Sequence, residues 1–283
     1  MIDVKNLGFS YKQQQRFIED LSFEVADGEI FGFLGPSGAG KSTLQKILCG
    51  ILRDYQGSVT VLGREVKHRR KDFYRQIGVD FEFPNLYGKF SGLDNLKYFA
   101  SLYDDNHFDP LPYLERVGLM EHKDKKVAEY SKGMKMRLAF VRAILHDPKL
   151  LFLDEPTSGL DPSYARILKE MILEQKAMGK TVILTTHNMH DAEALCDRVA
   201  FIVDGDIKAV GTPMELKGTN TEVEVRYGYR ESKKLHHNKG TLEKLSEDQV
   251  FMTHLKQGTL TSIHTKEPTL EDVFIDITGR RLI

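Results

Sequence analysis

The sequence is poor in the features that mark secreted, membrane-spanning or nucleic-acid-binding chains. Only 2 of its 283 residues are cysteines, which argues against a disulfide-stapled scaffold and favours a reducing compartment. No uncharged apolar run is long enough to span a bilayer, and no apolar signal region precedes the first strand-like residues. Lys and Arg number 40 against 41 Asp and Glu, a balance that provides no field favouring nucleic acid. We therefore expect a cytoplasmic protein, or one that docks to a membrane-embedded partner.

A short basic run at residues 67–71, KHRRK, is the feature that most invites a nucleic-acid interpretation. It lacks interleaved aromatic residues and stands in a chain of nearly balanced charge. We interpret it as a solvated surface, and we expect no nucleic-acid partner.

The predicted elements indicate an α/β protein with a helical part and a separate C-terminal part. Short strands dominate the first 80 residues, and the sequence turns helical between about 87 and 146. A strand at 150–154, a helix from 162 and a strand at 181–185 imply a parallel sheet. The turn-forming residues Gly211-Thr212-Pro213 then mark the end of the core. We therefore place one domain at 1–211 and a small C-terminal α+β domain at 212–283.

The C-terminal part has weaker patterns than the core. Residues 221–227 alternate as in a strand, and residues 233–239 are polar. Residues 250–265 resemble a hairpin, and we expect a helix from Thr269. These patterns predict a small mixed fold and indicate no chemistry.

A glycine-rich segment fills the G-x-x-x-x-G-K-[ST] template of a phosphate-binding loop. An apolar strand at 29–34 precedes it and a helix at 43–49 follows it, which is the order that such a loop requires. Glycines let successive backbone N–H groups point at phosphate oxygens. We therefore expect a bound nucleoside triphosphate, with Lys41 reaching its β and γ phosphates and Ser42 binding Mg²⁺. An ordinary glycine turn is the alternative, and the template arises by chance in roughly one chain of this length in a hundred. The loop comprises Gly35, Pro36, Ser37, Gly38, Ala39, Gly40, Lys41, Ser42 and Thr43.

Two adjacent carboxylates, Asp154 and Glu155, follow the apolar strand that begins at Leu150. Consecutive side chains at a strand end diverge, so one carboxylate can hold Mg²⁺ while the other polarises an attacking water. A phosphate-binding loop needs a carboxylate at a neighbouring strand end to hold Mg²⁺, and Asp154 stands at that position, so the two adjacent acids divide two tasks. Without the phosphate-binding loop, a solvated turn before Pro156 would be the better interpretation.

In chain order these motifs resemble those of the ATP-binding subunit of ABC transporters, from Tyr11 to His187. The resemblance implies a P-loop NTPase core of the ABC ATPase type that binds ATP, with an antiparallel β subdomain and a helical subdomain at about 87–146. It assigns the catalytic glutamate to Glu155, the switch histidine to His187, and a D-loop aspartate that couples two ATP sites to Asp161. Tyr11 lies where the family has an aromatic residue that stacks on adenine. A lone strand tyrosine is otherwise more often a packing residue.

Residues 130–134, YSKGM, stand where the family has LSGGQ. Ser131 and Gly133 match the serine and the second glycine, and the remainder is similar to the variant in many drug and antibiotic exporters. Ser131 is suited to cap the helix that runs to His146 and to direct its N–H groups at an anion. The alternative is a helix cap without a further role. In the family the anion is the γ-phosphate bound by another subunit, which implies a homodimer or heterodimer of ATPase chains.

Glu82 is the clearest departure from the family, which usually has glutamine in this segment. Its carboxylate still offers an oxygen to Mg²⁺ and adds a negative charge beside the triphosphate, so that metal binding is tighter or catalysis slower. We expect Glu82 to keep a sensor role between the nucleotide and a transmembrane partner. The following residues, 83–87, suit either the rim of a site for a partner's cytoplasmic helix or a buried loop.

The resemblance implies an ATP-hydrolysing subunit that drives a separate transmembrane permease subunit from the inner face of the cell membrane. The tail at 267–279 is similar to that of exporter-type ATPases, which favours export of a drug, a peptide antibiotic or another amphipathic compound. Three alternatives stay open. They are a mechanical switch acting on ribosomes or DNA, a low-turnover regulatory module that binds ATP, and an importer that depends on a solute-binding protein.

Overall fold

The chain folds into two units. A computed structural model describes residues 1–11, 17–69, 71–103, 108–218, 224–231, 234–266 and 268–280. Contacts divide the chain into Met1–Thr212 and Pro213–Arg281, and each unit is described by itself. Within the described ranges, none of the helices combines the length and the hydrophobicity needed to cross a bilayer.

The first unit contains an antiparallel sheet in the spatial order β2-β1-β4-β5. Buried and exposed side chains alternate along the second half of β2, as expected of a strand with one face on the core. A bulge interrupts the pairing of β1 with β4, and Gly57 is required there because a Cβ would lie 2.2 Å from the Asn6 carbonyl oxygen. The strands are β1 (Ile2–Phe9), β2 (Ile18–Val25), β4 (Tyr55–Val61) and β5 (Arg64–Glu65).

A second, six-stranded sheet has the order β10-β9-β3-β8-β7-β6, and all its neighbouring strands are parallel except β10 and β9. Every residue of β3, β7 and β8 is buried, as expected of strands covered on both faces. The parallel sheet predicted from the sequence is confirmed. Its strands are β3 (Ile30–Leu34), β6 (Ile77–Asp80), β7 (Leu150–Asp154), β8 (Thr181–Thr186), β9 (Arg198–Val203) and β10 (Asp206–Gly211).

Helices cover the parallel sheet and fill the stretch that the sequence predicted to be helical. Two short 3₁₀ turns, Met120–His122 and Val127–Glu129, lie between the last two helices of that stretch. The helices described in the first unit are α1 (Lys41–Leu48), α2 (Lys71–Arg75), α3 (Gly92–Ser101), α4 (Leu111–Arg116), α5 (Lys132–Ile144), α6 (Pro162–Ala177) and α7 (Met189–Leu195).

The main hydrophobic core joins both sheets and α1. The ring of Phe23 on β2 lies 5.9 Å from Phe31 and 5.2 Å from Phe33 of β3, measured between ring centroids. Leu44, Ile47 and Leu48 of α1 are fully buried in the same cluster. Because β3 and α1 are both fixed by this packing, the segment that connects them is held at both ends.

The second unit is a three-stranded antiparallel sheet with helices, in the order β12-β11-β13. Its small core consists of Val225, Tyr227, Tyr229 and Leu245, with Phe251 and Leu260 against it. The elements are α8 (Pro213–Gly218), β11 (Glu224–Glu231), β12 (Lys234–Thr241), α9 (Leu242–Glu247), α10 (Gln249–Gln257), β13 (Leu260–Lys266) and α11 (Leu270–Thr278). Three predicted segments fall partly outside the described residues. They are the alternating segment 221–227, the polar stretch 233–239 and the tail 267–279, and in the last two only the first residue lies outside.

The hairpin predicted at 250–265 is wrong, because the first half of this segment is the helix α10. Asp248 caps the helix by accepting hydrogen bonds from the N–H groups of Val250 and Phe251, and Gly258 ends it at a φ of 64°. The apolar run that begins at Val250 resembles a strand locally. The capping residues on either side decide in favour of a helix.

Candidate nucleotide-binding site

The glycine-rich loop connects the end of β3 to the start of α1. Gly38 and Gly40 have φ angles of 82° and 112°, a backbone region that favours glycine. Gly35 is required for a different reason, because a Cβ there would lie 2.1 Å from the carbonyl oxygen of Ile202. The loop thus occupies a conformation and a space that only glycine permits at these three positions.

Lys41 extends its side chain back into this loop. Its Nζ donates to the carbonyl oxygens of Gly35 at 2.6 Å and of Pro36 at 3.1 Å. Burial lowers the pKa of Lys41, and the carboxylates of Glu155, Asp154 and Glu82 act in the opposite direction. A buried cation therefore lies within the field of three carboxylates, which is the charge arrangement needed around a polyphosphate and a metal ion.

The ends of β7 and β8 bring two carboxylates and a histidine together. Asp154 lies opposite Thr185 in the parallel ladder and accepts a hydrogen bond from its hydroxyl. Glu155 has a φ of 52°, a left-handed conformation that is unfavourable for a non-glycine residue. Its carboxylate accepts from Nδ1 of His187 at 2.7 Å and from the Thr186 hydroxyl at 3.2 Å. The two carboxylates consequently have different hydrogen-bond partners, Thr186 and His187 for Glu155 and Thr185 for Asp154.

These residues line one cleft of about 250 Å³. The structure brings Glu82, the carboxylate pair and His187 to the loop. Ser158 also lines the cleft, at the start of the predicted D-loop, and Phe17 does so from the start of β2. The lining consists of Phe17, Ser37, Gly38, Ala39, Gly40, Lys41, Ser42, Thr43, Glu82, Asp154, Glu155, Ser158 and His187.

Tyr11 lies beside this cleft without lining it. Its hydroxyl is 2.8 Å from the Thr43 hydroxyl, and its ring contacts Phe9 and Phe17 edge-on at centroid distances of 4.9 and 5.8 Å. The side chain is 59% exposed, so the ring retains free surface for stacking. Phe17 was missed from the sequence, because nothing in a lone aromatic residue six positions after Tyr11 indicates that the two rings meet.

Glu82 reaches the cleft from the segment after β6. Its carboxylate lines the same cleft as the Ser42 hydroxyl and the Asp154 carboxylate, and all three offer oxygen atoms, the ligands that Mg²⁺ prefers. Two residues earlier, burial raises the pKa of Asp80 to about 7, with Arg142 lowering it and Asp154 raising it. The oxygen atoms of Ser42, Glu82 and Asp154 are of the type that would hold a magnesium ion.

Six of the predicted site residues do not line this cleft. Tyr11, Gly35 and Pro36 contact residues that do, whereas Ser131, Gly133 and Asp161 lie at the starts of α5 and α6. Ser131 caps α5 by accepting from the Met134 N–H at 3.2 Å. Asp161 caps α6 by accepting from the N–H groups of Ser163 and Tyr164. A Cβ on Gly133 would lie 3.4 Å from a methyl carbon of Leu160, so the start of α5 adjoins the D-loop. Among the described residues, Ser131, Gly133 and Asp161 do not line the cleft of the phosphate-binding loop.

The fold and cleft define a P-loop nucleotide hydrolase, and comparison with known proteins is more specific. The ABC transporter family matches residues 18–158. The fluoroquinolones export ATP-binding protein of Mycobacterium tuberculosis is 48% identical over 100% of this chain and 94% of its own length. A Nod factor export ATP-binding protein I of a Rhizobium species is 36% identical over 94% of this chain and 93% of its own. A solved ATP-binding subunit of an ABC transporter superposes with a TM-score of 0.70 at 31% identity, over 77% of this chain and 92% of its own.

The chain belongs to the ABC transporter family, as an ATP-binding subunit with ATPase activity. The family, the fold class and the enzymatic activity expected from the sequence are thereby confirmed. ATP is the nucleotide that this family binds.

Proposed function

We propose that this chain hydrolyses ATP to power the export of an amphipathic, drug-like compound through a separate transmembrane permease subunit. The observation that carries the proposal is the full-length similarity to ATP-binding proteins of a fluoroquinolone exporter and a Nod factor exporter. The names of these two relatives describe ATP-binding proteins for the export of fluoroquinolones and of Nod factor. We propose an ATPase domain at 1–211 and an accessory domain at 212–283.

In the proposed reaction, Glu155 accepts a proton from the attacking water while the oxygen of that water bonds to the γ-phosphorus. The bond from the γ-phosphorus to the bridging oxygen breaks, which yields ADP and phosphate. His187 holds the Glu155 carboxylate through the 2.7 Å hydrogen bond, and Lys41 orients the phosphates. Ser42, Asp154 and Glu82 would hold Mg²⁺, which when bound neutralises charge on the phosphate oxygens.

We infer that a second ATPase chain, identical or related, completes each site. The inference is supported by the location of Ser131, Gly133 and Asp161 outside the cleft that contains Lys41. A partner chain arranged head to tail can present the capped start of its α5 to the γ-phosphate. In this arrangement Asp161 lies near the junction of the two ATP sites.

The permease subunit is proposed to dock on an aromatic surface formed by Phe83, Tyr87, Phe90 and Tyr98. These side chains are exposed, Phe83 by 72%, and the Tyr87 ring contacts those of Phe90 and Tyr98 at 5.4 and 5.1 Å. Exposed aromatic clusters are common anchors in protein interfaces. This contact would hold the chain peripherally at the cytoplasmic, inner face of the cell membrane.

The test is co-purification from detergent-solubilised membranes with the Glu155→Gln protein and ATP, using a Phe83→Ser, Tyr87→Ser double variant as the matched control. We expect an apolar, multi-spanning chain in stoichiometric amount that the double variant loses. Inverted vesicles containing the natural chain and the recovered membrane protein should then accumulate an amphipathic fluorescent compound only with ATP. Recovery of ribosomes or DNA instead, with no membrane protein, would support the mechanical-switch alternative and contradict the proposal.

A further inference from the structure

The three-stranded sheet of the second unit has one buried face and one face that its small core does not use. Alternate residues of β11, from Val225 to Tyr229, belong to that core. Because side chains alternate along a strand, Arg226 and Gly228 lie on the opposite face. The cross-strand register adds four residues of β12 and β13 to this outer face, and they are His237, Lys239, Ser262 and His264.

The five side chains of the outer face line a cavity of about 630 Å³ in the second unit. Sites for drug-sized molecules have volumes of about 300–1,000 Å³. Among the described residues that line this cavity, none is acidic. Four of them have nitrogen groups that can donate hydrogen bonds, and they are Arg226, His237, Lys239 and His264. The lining therefore suits a ligand that carries negative charge.

Gly228 keeps space open in the middle of the outer face. Its φ is not positive, so the backbone conformation does not require glycine there. The pairing with β13 is irregular directly after it, and a bulge requires glycine only where φ is positive. A Cβ on Gly228 would lie 2.8 Å from Oγ of Ser262 and 3.4 Å from Nδ1 of His237. Polar atoms of both neighbouring strands thus converge over a glycine, a residue that inside a strand often marks a place where a ligand approaches closely.

Glu224 holds the two cations of the outer face beside each other. Its carboxylate accepts from Nζ of Lys239 at 2.9 Å and from Nε of Arg226 at 2.9 Å. These hydrogen bonds, that of Lys239 first, lower the pKa of Glu224, so the carboxylate stays ionised at neutral pH. One negative charge against two positive charges leaves an excess of positive charge at the cavity.

Hydrogen-bond donors remain at the cavity for a second anion. The described hydrogen bond of Arg226 uses only Nε, whereas a guanidinium has five N–H donors in one plane. The ammonium group of Lys239 has three donors and bonds to Glu224 with one. Within the ranges that the structure describes, the side chains of His237, Ser262 and His264 have no hydrogen-bond partner. Charged and neutral donors of this kind bind carboxylates.

We propose that the outer face of the second unit is a binding site for a small organic anion, whose carboxylate is held by Arg226 and Lys239. The body of the ligand occupies the space over Gly228, between His237 and His264. The proposal does not rest on the export function proposed above, because every described residue of this site belongs to the second unit. It gives a ligand to the part of the chain in which the sequence indicated no chemistry.

The test is isothermal titration calorimetry of the full-length chain with 2-naphthoate, a planar aromatic carboxylate. The uncharged analogue 2-naphthalenemethanol should bind at least about tenfold more weakly, because it lacks the carboxylate. Arg226→Met should weaken 2-naphthoate binding by at least about tenfold for the same reason. The matched control is Arg230→Met, at an exposed arginine of the same strand that does not line the cavity. It should leave the Kd unchanged.

A second variant tests the space instead of the charge. Gly228→Val introduces a residue that favours strands and fills the space beneath Ser262 and His237, so we expect 2-naphthoate binding to be lost. If Gly228→Val does not fold, Gly228→Ala replaces it, because the nearest atom is a serine hydroxyl that can rotate away. If Arg226→Met does not fold, Lys239→Met takes its place. Saturating ATP should not change the Kd, since the described lining of the nucleotide cleft belongs to the first unit.

The proposal is overturned if 2-naphthoate binds no more tightly than its alcohol, or if Arg226→Met and Arg230→Met have equal effects. Displacement of 2-naphthoate by ATP would assign the probe to the nucleotide cleft and contradict the proposal as well. Vesicles of phosphatidylglycerol distinguish a membrane contact. Binding to these vesicles that depends on Arg226, without binding of 2-naphthoate, would make the outer face a lipid-binding surface. None of these results bears on the export function, which the co-purification tests.

Discussion

Glu155 has an unfavourable backbone conformation, and its carboxylate accepts two hydrogen bonds. Its φ of 52° turns the chain directly after Asp154, and its side chain accepts hydrogen bonds from Thr186 and His187. Non-glycine residues persist in this conformation only where the surroundings compensate for a cost of about 1–3 kcal/mol. The two adjacent carboxylates consequently have different partners, because Asp154 accepts from Thr185 whereas Glu155 accepts from Thr186 and His187.

His146 gives a prediction about pH. Its ring stacks on Tyr103 at 3.8 Å and its Nε2 lies 2.9 Å from the Ile77 carbonyl oxygen. Burial lowers the pKa of His146, against the opposing effect of this hydrogen bond. The unfolded chain, with a pKa of about 6.5, therefore binds a proton more readily. The stability that neutral His146 contributes is present above that pKa and is lost as the pH falls towards the lower folded pKa.

The measurement is the free energy of urea unfolding from pH 7.5 to 5.5 for the natural chain and for His146→Gln. We expect the natural chain to lose more stability over this range, with a difference in slope of at most about 1.4 kcal/mol per pH unit. His68→Gln, at an exposed histidine, is the control and should not change the slope. Parallel curves for the natural chain and His146→Gln would contradict the assignment.

At the scale of the element, two helices of the first unit begin with the same serine cap. Ser131 accepts from the Met134 N–H on α5, and Ser91 accepts from the Asp94 N–H on α3. Replacing either serine by alanine should cost about 1 kcal/mol of stability. We expect only Ser131→Ala to lower the ATPase rate, by at least about tenfold, because only that cap is proposed to act on a phosphate.

The comparison requires both unfolding curves and ATPase rates at saturating ATP. Because the two variants lose the same kind of hydrogen bond, a difference in rate cannot come from stability alone. Equal rates for Ser131→Ala and Ser91→Ala would reduce Ser131 to a structural cap.

Elements with strong local signals were predicted well from the sequence. The strand Leu150–Asp154 has the predicted bounds, because an unbroken apolar run between polar residues leaves little choice. The segment at 250–265 was wrong, because helix caps outweighed a strand-like run. Phe17 could not have been assigned, since its place in the cleft depends on contacts with residues that are distant in sequence.

At the scale of the molecule, the described residues of one chain place the proposed site residues in two groups, because Ser131, Gly133 and Asp161 do not line the cleft that contains Lys41. If a second chain supplies the Ser131 group, ATP should drive association when hydrolysis is blocked. We expect the Glu155→Gln protein with ATP and Mg²⁺ to elute with twice the 32.3 kDa mass of one chain, measured by light scattering. Adding Lys41→Ala should keep it monomeric, because the phosphates are then no longer held. A monomer under all conditions would contradict a dimer built from this chain alone.

The most direct test of the whole account is the ATPase rate of the full-length chain compared with that of Glu155→Gln, with Glu115→Gln as a control at an exposed glutamate. If Glu155 is the general base, kcat should fall by roughly 10²–10⁴-fold while ATP affinity is retained. Glu115→Gln should hydrolyse ATP at the natural rate. Undiminished hydrolysis by Glu155→Gln would contradict the assignment of Glu155 as the general base of this cleft.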